Sequence, residues 1–229
     1  MAREWTSLTM SNSPKGYSGL LAVCVTVLVA WAQIVTPTVA AALTGLILIA
    51  AIGAMMIKAN LFKNAGWWLV GIGYVGMPMI AMWWLRTLDA GQMVLWLFFI
   101  VWATDIGGYV FGKSIGGPKL APKLSPKKTW AGLLGGMAFS VAVGVGLQLT
   151  FGIVSTMVVL VIASGLLAVW AQAGDLLESG IKRHFGVKDS GELIPGHGGL
   201  LDRVDGLVFV APAMALLVVF FPSLFAAGV

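Results

Sequence analysis

Six of the nine acidic residues in this 229-residue chain fall within 31 positions, from Asp175 to Asp205, and both histidines, His184 and His197, lie among them. Lys182, Arg183, Lys188 and Arg203 are interleaved with those acids. Asp175 and Glu178 are three apart, as are Asp202 and Asp205, a spacing that puts each pair on one helix face. Carboxylates from two helix ends suit a hard, Mg²⁺-type ion that prefers oxygen ligands. The alternative reading is capping and surface ion pairing, because a helix N-terminus favours acids such as Asp202 and Asp205. The turn Pro195-Gly196-His197-Gly198-Gly199 between the acids favours the metal reading, since glycines let backbone approach a ligand closely. Bases beside a carboxylate-bound divalent ion are what a polyphosphate needs, because both neutralise phosphoryl oxygens.

A second basic segment, 112–128, carries Lys113, Lys119, Lys123, Lys127 and Lys128 and no acid. Just before it lies Asp105, inside an apolar run where an ionised carboxylate costs about 2.5–3.5 kcal/mol on insertion scales. Asp105 either reaches the surface and pairs with Lys113 or contributes to a site at the membrane boundary. His197 is open to either a loop role or a site role. Two histidines and the lone Cys24 make a zinc site a poor fit.

The elements that must position these groups are membrane spans. The chain is 59% hydrophobic and only 10% charged, against about 25% charged in soluble domains. Several apolar runs reach the ~20 residues that cross a bilayer as helix. The expected fold class is all-α, a polytopic helical bundle of about seven spans, roughly 17–35, 38–57, 65–85, 91–111, 130–149, 152–174 and 204–225. They are read as one domain, with N-terminal spans in 1–95 and a catalytic part in 96–229 that carries the loops 112–128 and 175–203. The first run is expected to be a retained span. Counted over alternate connections, 13 of the 14 Lys and Arg fall on one face, which the positive-inside rule makes cytoplasmic together with the N-terminus. From Ile153 to about Phe185 nothing breaks a helix, so the sixth span should project beyond the membrane, with Asp175 near the surface. The glycines of 132–136 are read as helix-packing residues.

The pattern Ser179-x-Ile181-Lys182-Arg183, four residues, Lys188-Asp189, then Ile194-Pro195-x-His197-Gly198-Gly199-x-x-Asp202-Arg203-x-Asp205 resembles the signature of the phosphatidate cytidylyltransferases, or CDP-diacylglycerol synthases. The segment Ser125-Pro126-Lys127-Lys128-Thr129-Trp130 is also similar to that family, with Ala131 where an acid is usual. The resemblance covers about residues 100–210. It implies synthesis of CDP-diacylglycerol and pyrophosphate from CTP and phosphatidic acid, with Mg²⁺ paired with K⁺, in a homodimer of the inner (plasma) membrane. It implies Asp175 and Asp202 as principal metal ligands, with Asp205 and Asp189 close by.

On that reading Lys182, Arg183, Lys188 and Arg203 hold phosphates, and Ser125, Lys127 and Lys128 cover the site from the other loop. His197, Gly198 and Gly199 shape the turn around the nucleotide, and Asp105 joins the site. The partners expected are CTP, phosphatidic acid and the bilayer, with no nucleic acid polymer. A transporter of an anionic solute is the competing class, and it is disfavoured because no charge lies at mid-bilayer. A phosphatidyl-alcohol transferase is disfavoured because its D-G-x2-A-R pattern is absent.

Overall fold

The computed structural model describes residues 1–9, 16–34, 65–88, 91–152, 156–191 and 198–225. In chain order the elements are α1 (Ala2–Thr9), α2 (Gly16–Ile34), α3 (Ala65–Leu88), α4 (Gln92–Ser114), β1 (Lys119–Ala121) and β2 (Ser125–Thr129). There follow α5 (Trp130–Phe151), α6 (Met157–His184), α7 (Leu201–Phe220) and α8 (Pro222–Phe225). Among the described residues five helices, α3 to α7, are long and apolar enough to cross a membrane, and α2 holds a shorter apolar stretch, Ser18–Ala32. The protein is therefore a polytopic all-α membrane protein. The expected second span, 38–57, lies outside the described residues. The N-terminal segment forms α1, and the basic loop, expected as a plain connection, folds into a hairpin.

The ends of these elements have local causes. Gly91 takes a left-handed φ of 96° just ahead of α4. Thr129 caps α5, its side chain accepting from the Gly132 amide at 3.1 Å, and Gly152 closes that helix at φ 64°. In the antiparallel hairpin Lys119 pairs with Thr129 and Ala121 with Ser125. α6 begins at Met157 rather than Ile153, and its 28 residues still span about 42 Å, longer than a ~30 Å hydrocarbon core.

Two compact units can be distinguished, Met1–Ile80 with His184–Val204, and Ala81–Arg183 with Asp205–Val229. In the second, α4 and α5 pack closely because glycines face each other. A Cβ on Gly136 would stand 2.8 Å from the Thr104 carbonyl oxygen, one on Gly132 2.8 Å from that of Gly108, and one on Gly107 2.9 Å from that of Gly135. Small residues allow this approach where lipid supplies no hydrophobic drive between helices. The expected packing role of Gly132 to Gly136 is thus borne out. Beside them the Thr104 and Ser140 hydroxyls are 2.7 Å apart, and Ser140 donates to the Ile100 carbonyl at 3.1 Å.

In the first unit α1 is anchored by Trp5, whose indole is buried. Its Nε1 donates to the Trp67 carbonyl at 2.9 Å, and its ring stacks on Tyr74 at 4.7 Å. Gly71 leaves room for it, since any Cβ there would run into the indole.

Candidate active site

The second unit gathers the acids of three helices. Asp105 comes from α4, Asp175 and Glu178 from α6, and Asp205 from α7. β2 brings Lys128, which forms an ion pair with Asp175. The Lys128 side chain is 18% exposed and that of Asp175 29%, and the ammonium itself is shut off from water. The Ser179 hydroxyl donates to Asp175 Oδ1 at 3.3 Å. Glu178 is almost fully buried and takes the Lys182 ammonium at 3.1 Å, the i,i+4 pair that the sequence spacing predicts.

Asp105 interacts electrostatically with Asp175 and Lys128, and Asp205 with Asp175, Glu178 and Asp105. Asp105 does not rest on Lys113, whose ammonium instead meets its own helix neighbour Tyr109 at 3.3 Å from the hydroxyl. Fully ionised, the four acids outnumber Lys128 and Lys182 by two charges. That imbalance is what a divalent cation would correct.

Among the described residues no three His, Cys, Asp or Glu side chains converge closely enough to hold a metal by themselves. Such a donor set still fits Mg²⁺, which is commonly bound by one or two carboxylates, with water and substrate phosphate completing its octahedron. On the hairpin Ser125 is half-buried and Lys127 exposed, while Arg183 is exposed near the end of α6.

The remaining site residues belong to the first unit. Asp202, at the start of α7, accepts from the Ser190 amide at 2.9 Å, the Ser190 hydroxyl at 3.0 Å and the Gly199 amide at 2.8 Å, all through Oδ2. Its Oδ1 also accepts from the Ser190 amide at 3.1 Å. Asp202 therefore ties Ser190 to Gly199, and its capping character, one of the two alternatives open in the sequence, is present. Gly198 has a left-handed φ of 82°, and Gly199 is buried against Ser190 Oγ and Glu4. A side chain at either glycine would disrupt that link.

Lys188, Asp189 and Arg203 are exposed. His197 lies outside the described residues. His184, exposed, sets its ring 5.6 Å from that of Trp67. Sequence reasoning missed Ser190 and Glu4. Glu4 has one signal, being the only acid before Asp89.

A set of helices long and apolar enough to cross a membrane, carrying clustered carboxylates and lysines, defines an integral membrane protein. The sequence model of the cytidylyltransferase family matches residues 1–221, and the chain belongs to that family. It is 42% identical over 159 residues to a phosphatidate cytidylyltransferase of Staphylococcus epidermidis, covering 69% of this chain and 60% of that protein. It is 43% identical over 175 residues to a phosphatidate cytidylyltransferase of Brucella suis, covering 76% and 63%. A third, from Staphylococcus haemolyticus, is 40% identical over 158 residues, covering 69% and 60%. The chain spans about 60% of the length of these curated relatives.

Proposed function

We propose that this chain transfers the CMP moiety of CTP to phosphatidic acid, giving CDP-diacylglycerol and pyrophosphate. The observation that carries the reading is the Lys128–Asp175 pair among Asp105, Glu178 and Asp205 in a member of the cytidylyltransferase family. A phosphate oxygen of phosphatidic acid attacks the α-phosphorus of CTP. A new P–O bond forms as the bond from that phosphorus to the α,β-bridging oxygen breaks, and pyrophosphate leaves with its electron pair. The nucleophile is already an anion, so catalysis is chiefly positioning and charge neutralisation.

Asp175 would hold Mg²⁺ with Asp105 and Asp205 in its field, and the ion would supply positive charge to the triphosphate. Lys128 and Lys182 shield the carboxylates from one another and hold Asp175 and Glu178 in place. Asp202 and Gly199 are assigned to the nucleotide, with Lys188, Arg183 and Arg203 as phosphate partners and Ser125 and Lys127 in support. The lipid tails stay in the bilayer while the headgroup reaches the site. By the lysine and arginine distribution that site faces the cytoplasm of an inner (plasma) membrane. A homodimer, and K⁺ beside Mg²⁺, complete the reading.

Membranes containing the chain, given CTP labelled at its α-phosphate and phosphatidic acid, should yield labelled lipid only when Mg²⁺ is added. Asp175→Asn should lower that incorporation at least about a hundredfold, the loss of a charged metal ligand, while the folded protein remains. Near-normal turnover in that variant would sink the metal assignment.

A further inference from the structure

The last long helix begins without a side-chain cap of its own. Leu200, whose side chain is apolar, stands at its N-cap position, and the amides of Leu200 and Leu201 are among the four donors that a helix start leaves unsatisfied. Asp202, in the first turn, returns its carboxylate to the Gly199 amide just ahead of the cap, at 2.8 Å. A capping side chain is missing because residue 200 is leucine, and Glu4, from α1, takes its place. Its Oε1 accepts from Leu200 at 2.6 Å and its Oε2 from Leu201 at 3.2 Å. Glu4 is buried, 5% exposed, and lies against Gly191 and Gly199. Three consecutive amides, 199 to 201, are thus divided between two carboxylates. Trp5, the next residue, fixes α1 by its indole bond and its stacking on Tyr74.

We infer that Glu4 is a positioning residue for the segment Gly199–Asp202, setting the backbone of residues 199–201 and thereby the place of Asp202, which the functional reading assigns to the nucleotide. The inference rests on the functional reading above for its consequence in catalysis. Its structural part, that Glu4 holds those amides, stands without it. Gly199 must be glycine for this arrangement, because a Cβ there would lie 2.8 Å from Glu4 Oε1 and would overlap Ser190 Oγ. Glu4 touches neither reacting atom, so its loss removes binding common to ground and transition states and should raise KM more than it lowers kcat.

The test compares Glu4→Ala, Glu4→Gln and Glu4→Asp with the unaltered chain in the same membranes or detergent. Amide hydrogen exchange is read at 199–201, with the Thr129-capped Gly132 amide as an internal control, and kcat and KM for CTP are measured beside it. For Glu4→Ala the Leu200 and Leu201 amides should exchange about tenfold faster or more while Gly132 is unchanged, the scale set by losing one charge-assisted hydrogen bond. KM for CTP should rise about tenfold with kcat changed less. Glu4→Gln, which keeps one carbonyl acceptor, should fall between Glu4→Ala and the unaltered chain.

Unaltered exchange at 200 and 201, or an unaltered KM, overturns the proposal. So does faster exchange at Gly132 to the same degree, which marks a merely structural role. Should Glu4→Ala fail to fold, the same measurements on Glu4→Gln decide. If the unaltered chain transfers no CMP at all, it is the functional reading that fails, and the exchange arm alone then supports or overturns the positioning role.

Discussion

Removing the Lys128 ammonium exposes the electrostatics of the site most directly. At an effective dielectric of 20, opposite charges at ~4 Å attract by about 4 kcal/mol, and desolvation offsets much of this. Deleting one partner of a fully buried pair costs about 3–5 kcal/mol because the other is left uncompensated. Asp175 is 29% exposed at its side chain, so solvent screening reduces the expected cost to about 2 kcal/mol. For a chain of this size that corresponds to a fall in Tm of about 4–8 °C.

The same deletion makes the acidic group more negative, so Mg²⁺ should bind Lys128→Met more tightly than the unaltered chain. An ion present at a hundredfold its Kd stabilises by about 2.7 kcal/mol, enough to restore the lost Tm. Turnover should not recover, because losing the partner that orients a metal-holding carboxylate costs roughly 10–100-fold. The assay is thermal unfolding in detergent with EDTA and then with Mg²⁺, alongside CTP incorporation. Lys127→Met serves as the comparison, since that neighbour is exposed and its loss should change stability by less than about 0.5 kcal/mol. Equal Tm values for Lys128→Met and the unaltered chain in EDTA, or full turnover in the variant, would refute the reasoning.

Two further outcomes test the packing that carries the site. Gly136→Ala places a methyl 2.8 Å from the Thr104 carbonyl oxygen, a backbone atom that cannot swing away. Overpacking of this kind costs about 1–3 kcal/mol against about 1 kcal/mol gained in helix propensity, so detergent unfolding should show a net loss. Trp5→Phe should keep the stacking on Tyr74 but lose the bond to the Trp67 carbonyl, for about 1 kcal/mol. Trp5→Ala should empty the space over Gly71 and cost about 3–5 kcal/mol.

What was legible in the sequence was whatever repeats at helix or membrane scale. Apolar runs gave the spans because lipid leaves backbone no partner but its own helix, and the i,i+4 spacing gave the Glu178–Lys182 pair. The hairpin was not legible, because Lys119–Ala121 and Ser125–Thr129 are too short and too charged to show alternation. Nor were the partners that close the site. Lys128 and Asp175 are separated by all of α5 and half of α6, and Glu4 and Leu200 by nearly the whole chain. No period connects residues so far apart. Each nevertheless left a local gap: Asp175 is a carboxylate inside an apolar helix, and Leu200 stands at a helix start with no polar side chain to cap it. A buried charge or an uncapped helix must find its complement somewhere in the fold. Such gaps therefore say which residues need a distant partner even when they cannot name it. An acid as isolated as Glu4, in an N-terminal segment otherwise free of carboxylates up to Asp89, is the kind of residue that meets the need.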